Sequence, residues 1–273
     1  MLVRSFVLMI MLTALWSCQS ATSSPQEQEE TSPPDSLLVM EAVPPPFDTV
    51  DIRFLLGKFD PAEESDFAKI PNEYAGGNAV GTYLHQEALA AFVKMHAAAK
   101  ADGVNLTILS ATRVFSYQKL IWESKWNGNR LVGGKNLAQT QPDFAQRAST
   151  ILLFSSMPGT SRHHWGTDMD FNAFTNSYFE AGKGKQEYDW LVANGPRYGF
   201  CQPYTPKGTD RTSGYEEERW HWSYQPLAER YMKSYQALVT HDMIKGFAGA
   251  EVAEGLQVIP NYVFGVSKVC WQE

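Results

Sequence analysis

The sequence predicts an α+β fold, a small antiparallel sheet with flanking helices. Short alternating or β-branched stretches stand singly between longer stretches with helical spacing. The segments that join them are rich in Gly and Pro, which suits turns rather than long continuous elements. A chain of 273 residues that is 44% apolar is long enough for one sizeable domain, or at most two small ones.

The first residues read as a leader. Arg4 precedes an apolar run from Phe6 to Trp16, too short to span a bilayer and the right length for the core of a signal peptide. Leu15-Trp16-Ser17-Cys18 resembles a bacterial lipobox, with Leu three residues before the cysteine and a small residue just before it; Trp16 departs from the pattern. The resemblance implies a lipoprotein signal over residues 1–17 and a lipid on Cys18, against an ordinary signal peptide cut near Ala21. Gln19 after the cysteine fits sorting to the outer membrane, facing the periplasm, if the source is Gram-negative. Residues 18–46 are dominated by Pro, Ser, Glu and Gln without apolar periodicity, the composition of a flexible tether. The folded domain is assigned to residues 47–273.

Within it, residues 83–103 have helical spacing at Leu89, Phe92, Val93, His96 and Lys100, with Gly103 at the stop. His96 on that stripe reads as a packed histidine. Residues 104–112 alternate and are β-branched, a strand. Residues 116–126 and 143–154 return to helical spacing. Met169 to Phe174 and Trp220 to Tyr224 read as strands, and residues 226–241 as a helix on the sheet, followed by a second helix over AEVAEGL. His85 and His241 have no partners at ligand spacing. Export makes a Cys201–Cys270 disulfide possible; two free buried thiols are the alternative. The net charge of −7 argues against a general nucleic-acid binder.

One stretch gathers metal-capable side chains: SRHHWGTDMDFN, residues 161–172. A catalytic zinc site needs three protein ligands and an open position. His163 supplies one donor, and Asp170 follows seven residues later, after the Gly166 turn. The best third donor is His221 in EERWHWSY, with Trp220 and Trp222 packing on the opposite strand face. Glu218 lies three residues earlier and could take a proton from an attacking water. In a regular strand Glu218 and His221 point oppositely, so their cooperation requires a turn or bulge between them.

Taken singly, an HH pair or a WHW triplet is ordinary. Together, Ser161-x-His163-x-x-Gly166-x-Asp168-x-Asp170 resembles the SxHxxGxAxD signature of LAS-type zinc metallopeptidases, the family of the vancomycin-resistance (VanY-like) D,D-carboxypeptidases and related L,D-carboxypeptidases. Glu218-Arg219-Trp220-His221 is similar to the family's ExWH signature. Ser110 to Arg113, followed by Gln118, resembles its arginine-ended strand and Gln-bearing helix, and the three elements come in the family's order. The resemblance implies Zn2+ on His163, Asp170 and His221, Glu218 as general base and acid, Arg113 on the substrate's terminal carboxylate, and Ser161 and Gln118 hydrogen-bonding near it. Asp168 stands where the family often has Ala; orienting a histidine from behind is the favoured role, with a solvated charge or a competing ligand as alternatives. His164 reads as structural or substrate-lining, pointing away from His163 in an extended chain.

The implied activity is removal of a C-terminal D-alanine from peptidoglycan stem peptides, D,D-carboxypeptidase favoured, by an enzyme held to the membrane through its N-terminal lipid. The alternatives are an L,D-carboxypeptidase, an endopeptidase or dipeptidase, and a non-catalytic zinc lipoprotein that binds cell wall. Arg113 counts against the endopeptidase, and Glu218 against the binding protein.

Overall fold

The computed structural model describes residues 50–271; the predicted leader, the tether and Cys18 lie outside them. The chain runs α1 (Ile52–Leu55), β1 (Phe67–Lys69), β2 (Tyr83–His85), α2 (Gln86–Ala101), β3 (Ile108–Ser110), α3 (Phe115–Trp126), α4 (Leu137–Thr140) and α5 (Phe144–Ile151). It continues through β4 (Asp168–Phe171), α6 (Gly182–Asn194), β5 (Phe200–Cys201), β6 (His221–Tyr224) and α7 (Gln225–Leu238). Strands β3-β4-β6-β5 form one antiparallel sheet and β1-β2 a separate antiparallel pair. The α+β architecture with a small antiparallel sheet is therefore as predicted.

Strict alternation divides the sheet into two chemically different faces. Met169, Phe171, Phe200 and Trp222 share a buried cluster with Phe92 and Met95 of α2 and Leu191 of α6, and Phe92 stacks on Phe171. Burying each such side chain is worth about 1.5–3 kcal/mol before entropy is counted. The intervening residues, Asp168, Asp170, His221 and Ser223, face the other way. On that side α3, α5 and α7 build a second core around Trp165 and Tyr235. The register pairs Asp168 with Ser223 and Asp170 with His221, so a polar set comes together across two strands.

Several boundaries differ from the sequence expectation. The helix predicted from 83 begins at Gln86, because Tyr83–His85 pairs with β1 and the His85 ring accepts the Glu87 amide as an N-cap. Its buried residues are Ala88, Leu89, Phe92, Met95 and Ala99, so Leu89 and Phe92 of the predicted stripe are inside; Val93 and His96 are half-buried and Lys100 is exposed. The strand predicted over 104–112 shrinks to three residues, because the Asn172 side chain takes the Thr107 amide that a longer ladder would use. Asn172 at φ 63° also ends β4 at Phe171. The helix predicted to 154 ends at Ile151. The expected AEVAEGL helix is a single 3-10 turn, Ala250–Val252, with a π-helical turn at Ile259–Val263. Helix α6 carries no start signal, since Gly182 and Gly184 open it. Cys201 and Cys270 are joined in a disulfide, which removes the free-thiol alternative.

Two glycines hold space that the site needs. Gly166 sits at φ 69°, and a Cβ there would lie 2.4 Å from the Phe67 ring. Gly57, at φ 72°, would place a Cβ 2.4 Å from His164 Nδ1. Gly81 shares the left-handed conformation but has open space around it. Gly57→Ala is therefore expected to lower stability by clash as well as backbone strain, about 2–4 kcal/mol, and Gly81→Ala by strain alone, about 1–2 kcal/mol. Denaturant titration of the two variants checks the difference; equal losses would remove the packing argument.

Candidate metal centre

The SRHHW segment is not extended. Residues Arg162–Trp165 form a 3-10 turn that Gly166 ends in the left-handed region. The strand-parity argument for His164 therefore fails, but the two histidines still part company. His163 turns toward β4 and β6. His164 is fully buried, with Nδ1 donating to the Arg113 carbonyl and Nε2 accepting the Gly159 amide. It is a structural histidine. Burial pushes its pKa from 6.5 down to about 3, so it is neutral at any ordinary pH.

His163, Asp170 and His221 converge, with ligand-capable atoms all within 4.8 Å of one another. Each histidine is fixed from behind. His163 Nδ1 donates to the Ala111 carbonyl at 2.8 Å, which leaves Nε2 as a lone pair 3.3 Å from Asp170 Oδ2. His221 Nε2 donates to Asp168 Oδ2 at 2.8 Å, which leaves Nδ1 3.2 Å from Asp170 Oδ1. Three residues thus turn acceptor atoms toward one another, and His163 Nε2 and Asp170 Oδ1 have no hydrogen-bond partner. Such a cluster suits a cation. Each histidine nitrogen stands 3.2–3.3 Å from an oxygen of Asp170, close to the separation of two ligand atoms that share an ion held at about 2.0–2.1 Å. The residues fit a zinc-type ion.

The electrostatics agree. Burial opposes a charge on Asp170, but His163 and His221 outweigh it and hold its pKa below the usual carboxylate range. Burial likewise disfavours a charge on His221, yet Asp168, Asp170 and Glu218 around it raise its pKa well above normal, which marks the cluster as a place that favours positive charge. Asp168 is no solvated charge: it is wholly buried, accepts from Arg162 Nε at 3.0 Å, from Thr167 and from Ser223, and stands behind His221. That is the orienting arrangement favoured for it from sequence.

The turn required between Glu218 and His221 is present. The His221 amide bonds the Glu218 carbonyl, and β6 begins only at His221. Glu218 Oε2 lies 3.4 Å from His221 Nδ1. Burial raises the Glu218 pKa against the pull of His221 and Arg113, and the charge of Asp170 adds to the rise. Arg113 follows β3 and is clamped to the metal segment through its amide, which bonds the His163 carbonyl, and its carbonyl, which accepts from His164. A cavity of about 20 Å³ ends between Arg113, Glu218, Ser161, Tyr204 and Tyr215. A groove of about 460 Å³ leads from Arg113, Asp170 and Glu218 to the surface. Ser161 Oγ and Arg113 Nε are buried at this junction without partners. Gln118 lines neither space: its Nε2 donates to the Ser156 carbonyl at 2.7 Å, behind the cavity wall.

Residues 81–227, just over half of the chain and all of its motif residues, match the VanY family model, described as D-alanyl-D-alanine carboxypeptidase. The chain belongs to the VanY family. Among VanY relatives, a D-alanyl-D-alanine carboxypeptidase of Enterococcus faecalis is 32% identical over 127 residues, 46% of this chain and 42% of that one. The putative carboxypeptidase YodJ of Bacillus subtilis is 29% identical over 144 residues, 52% of this chain and 46% of that one. The chain therefore spans less than half the length of either. Similar solved structures include the VanY D,D-pentapeptidase of a VanB-type resistance cassette in complex with Zn(II), at 26% identity, TM-score 0.43, covering 65% of this chain and 94% of that one. Another is the LdcB LD-carboxypeptidase, at 21% identity, TM-score 0.44, covering 76% and 79%.

Four residues around the VanY motifs escaped the sequence reading: Arg162, Tyr204, Lys125 and Ser155. Arg162 occupies an unspecified position inside the signature, and its partner Asp168 was the only hint of it. Tyr204, which packs on the His221 ring, lies in a loop with no pattern at all.

The neutral state of His164 has a stability consequence. Its folded pKa lies below its unfolded value, so the unfolded chain binds the extra proton, and stability present above pH 6.5 is lost as pH falls toward about 3. The loss is at most about 1.4 kcal/mol per pH unit for one group. Denaturant titrations at pH 7 and pH 5 are expected to show a steeper decline for the native chain than for His164→Gln, which starts lower but does not titrate; parallel declines would contradict a buried neutral His164.

Proposed function

We propose that this chain is a zinc-dependent carboxypeptidase that removes the C-terminal D-alanine from peptidoglycan stem peptides, with D,D specificity. The reading is carried by one juxtaposition: a buried proton-transfer carboxylate and a guanidinium flank the same ligand cluster, Glu218 at 3.4 Å from His221 Nδ1 and Arg113 sharing both cavities with it. Zinc held by His163, Asp170 and His221 would supply a Lewis acid that polarises the scissile carbonyl and acidifies the attacking water.

Glu218 takes a proton from the attacking water and delivers it to the departing amine. Its raised pKa suits the second half of that task, since a carboxylate of ordinary basicity gives up a proton too readily to hold it for transfer. Arg113 pairs with the free terminal carboxylate, for which its planar fork is matched. Ser161 Oγ donates beside it. Gln118 acts at one remove, holding the Ser156 backbone that walls the small cavity. Arg113 lines both spaces beside Glu218, so a free terminal carboxylate held there lies close to the scissile bond. This supports trimming of a terminal residue over internal cleavage. The leader, Cys18 and the tether would hold the domain to a membrane of the cell envelope, within reach of its substrate.

The test is incubation of the zinc-loaded full chain with a pentapeptide ending in D-Ala-D-Ala and a tetrapeptide ending in one D-Ala, with and without chelator, followed by mass. Chelator-sensitive loss of one alanine from the pentapeptide is expected; loss from the tetrapeptide alone means L,D specificity, and no cleavage of either sinks the reading. Glu218→Gln is expected to keep its metal and lose about 10²–10⁴-fold in kcat. A variant that still turns over would displace Glu218 from its role.

A further inference from the structure

The groove that leads to the metal centre holds more positive charge than the proposed chemistry uses. Arg113, Lys125 and Arg130 all line it. Among the described residues none of the three lies within ion-pair distance of a carboxylate. The groove's two carboxylates are committed elsewhere, Asp170 to His163 and His221 and Glu218 to His221. In a chain with 30 acidic residues against 23 basic ones, this groove reverses the balance, with three cations against two carboxylates. A divalent ion on the cluster makes the groove more positive still.

Arg113 is spoken for by the terminal carboxylate. Lys125 and Arg130 are not. Lys125 is half-buried at the end of α3, and its ammonium has the neutral Ser155 hydroxyl as its partner. A partly desolvated ammonium without a counter-ion is costly. Burial, together with the charges of Arg130 and Arg113, pushes its pKa from 10.5 down to about 8 against the weaker pull of Glu218. An incoming anion would relieve both the desolvation and the like-charge repulsion. The exposed rings of Phe154 and Phe174, each 51% exposed, rim the same groove, so its walls suit an extended chain rather than a lone ion.

We propose that Lys125 and Arg130 form a second anion subsite, which takes a carboxylate that the peptide substrate carries upstream of the scissile bond. The direction follows from Arg113: with the terminal carboxylate on Arg113 beside Asp170 and Glu218, the retained part of the peptide has the rest of the groove, past Lys125 and Arg130, to lie in. The inference rests on the carboxypeptidase reading and narrows it to substrates with two carboxylates, the terminal one and one further back.

The test uses the zinc-loaded full chain and peptides ending in D-Ala-D-Ala that carry either a free side-chain carboxylate or its amide, placed in turn at each of the three positions before the scissile bond. At one position the carboxylate form is expected to show a kcat/KM about tenfold higher, mostly through KM, with the advantage shrinking at high salt. Arg130→Gln, and separately Lys125→Met, are expected to cut that ratio to about threefold or less. Arg130 is exposed, so its variant tests the subsite even if the half-buried Lys125 proves necessary for folding. Equal kcat/KM at all three positions, or an undiminished ratio in Arg130→Gln, overturns the subsite. Calorimetric titration of the same peptide pairs onto Glu218→Gln reads the preference without turnover. Tighter binding of the carboxylate form there, with no cleavage by the native chain, would keep the subsite and dismiss the carboxypeptidase reading; equal binding would dismiss the subsite.

Discussion

A carboxylate with no exposed surface has to be neutralised where it lies, and Asp168 obliges four donors to meet on it. Arg162 comes from the 3-10 turn, Thr167 from the residue just before β4, and His221 and Ser223 from alternate positions of β6. Arg162 itself reaches Ser223 at 2.7 Å and lies over the Trp165 ring, so its charge has no other carboxylate to satisfy it. Removing one partner of such a buried pair typically costs about 3–5 kcal/mol, because the other is left uncompensated. The pair thereby welds the turn that bears His163 to the strand that bears His221. The tautomer of His221, the position of Glu218 three residues before it, and the convergence of the ligand atoms all follow from that weld.

Much of this was legible because the relevant periods are short. Asp168 and Asp170 share parity in any strand, as do His221 and Ser223, so one correct register places all four on one face. Glu218 was legible through a contradiction: it and His221 could cooperate only if the chain turned between them, and it does. Arg113 was legible only by analogy, since nothing in its local sequence reveals that its amide and carbonyl are both held by the His163–His164 segment fifty residues later.

The rest was hidden where tertiary partners override local preference. Helix α2 starts late because β1, a three-residue strand with no pattern of its own, captures Tyr83–His85. Its buried line is displaced because the helix meets Phe171 and Tyr74 rather than a flat surface, which puts Met95 inside and leaves Val93 and His96 at the edge. His164 parts from His163 as expected, but for a different reason: the segment is a 3-10 turn rather than extended, and such a turn sends consecutive side chains in quite different directions. Lys125 looks like an ordinary helix-surface lysine in sequence, and only the fold brings Ser155 against it.

The disulfide between Cys201 and Cys270 closes a covalent ring across a separation of 69 residues, and both Glu218 and His221 lie inside it. A protease that cuts once between the two cysteines opens the ring without releasing a fragment. The severed ends remain tethered to the same core, and the two halves of β6's surroundings are kept at high local concentration. A nicked molecule is thus still one molecule, indistinguishable in mass from the intact chain apart from one added water until a reductant separates its pieces.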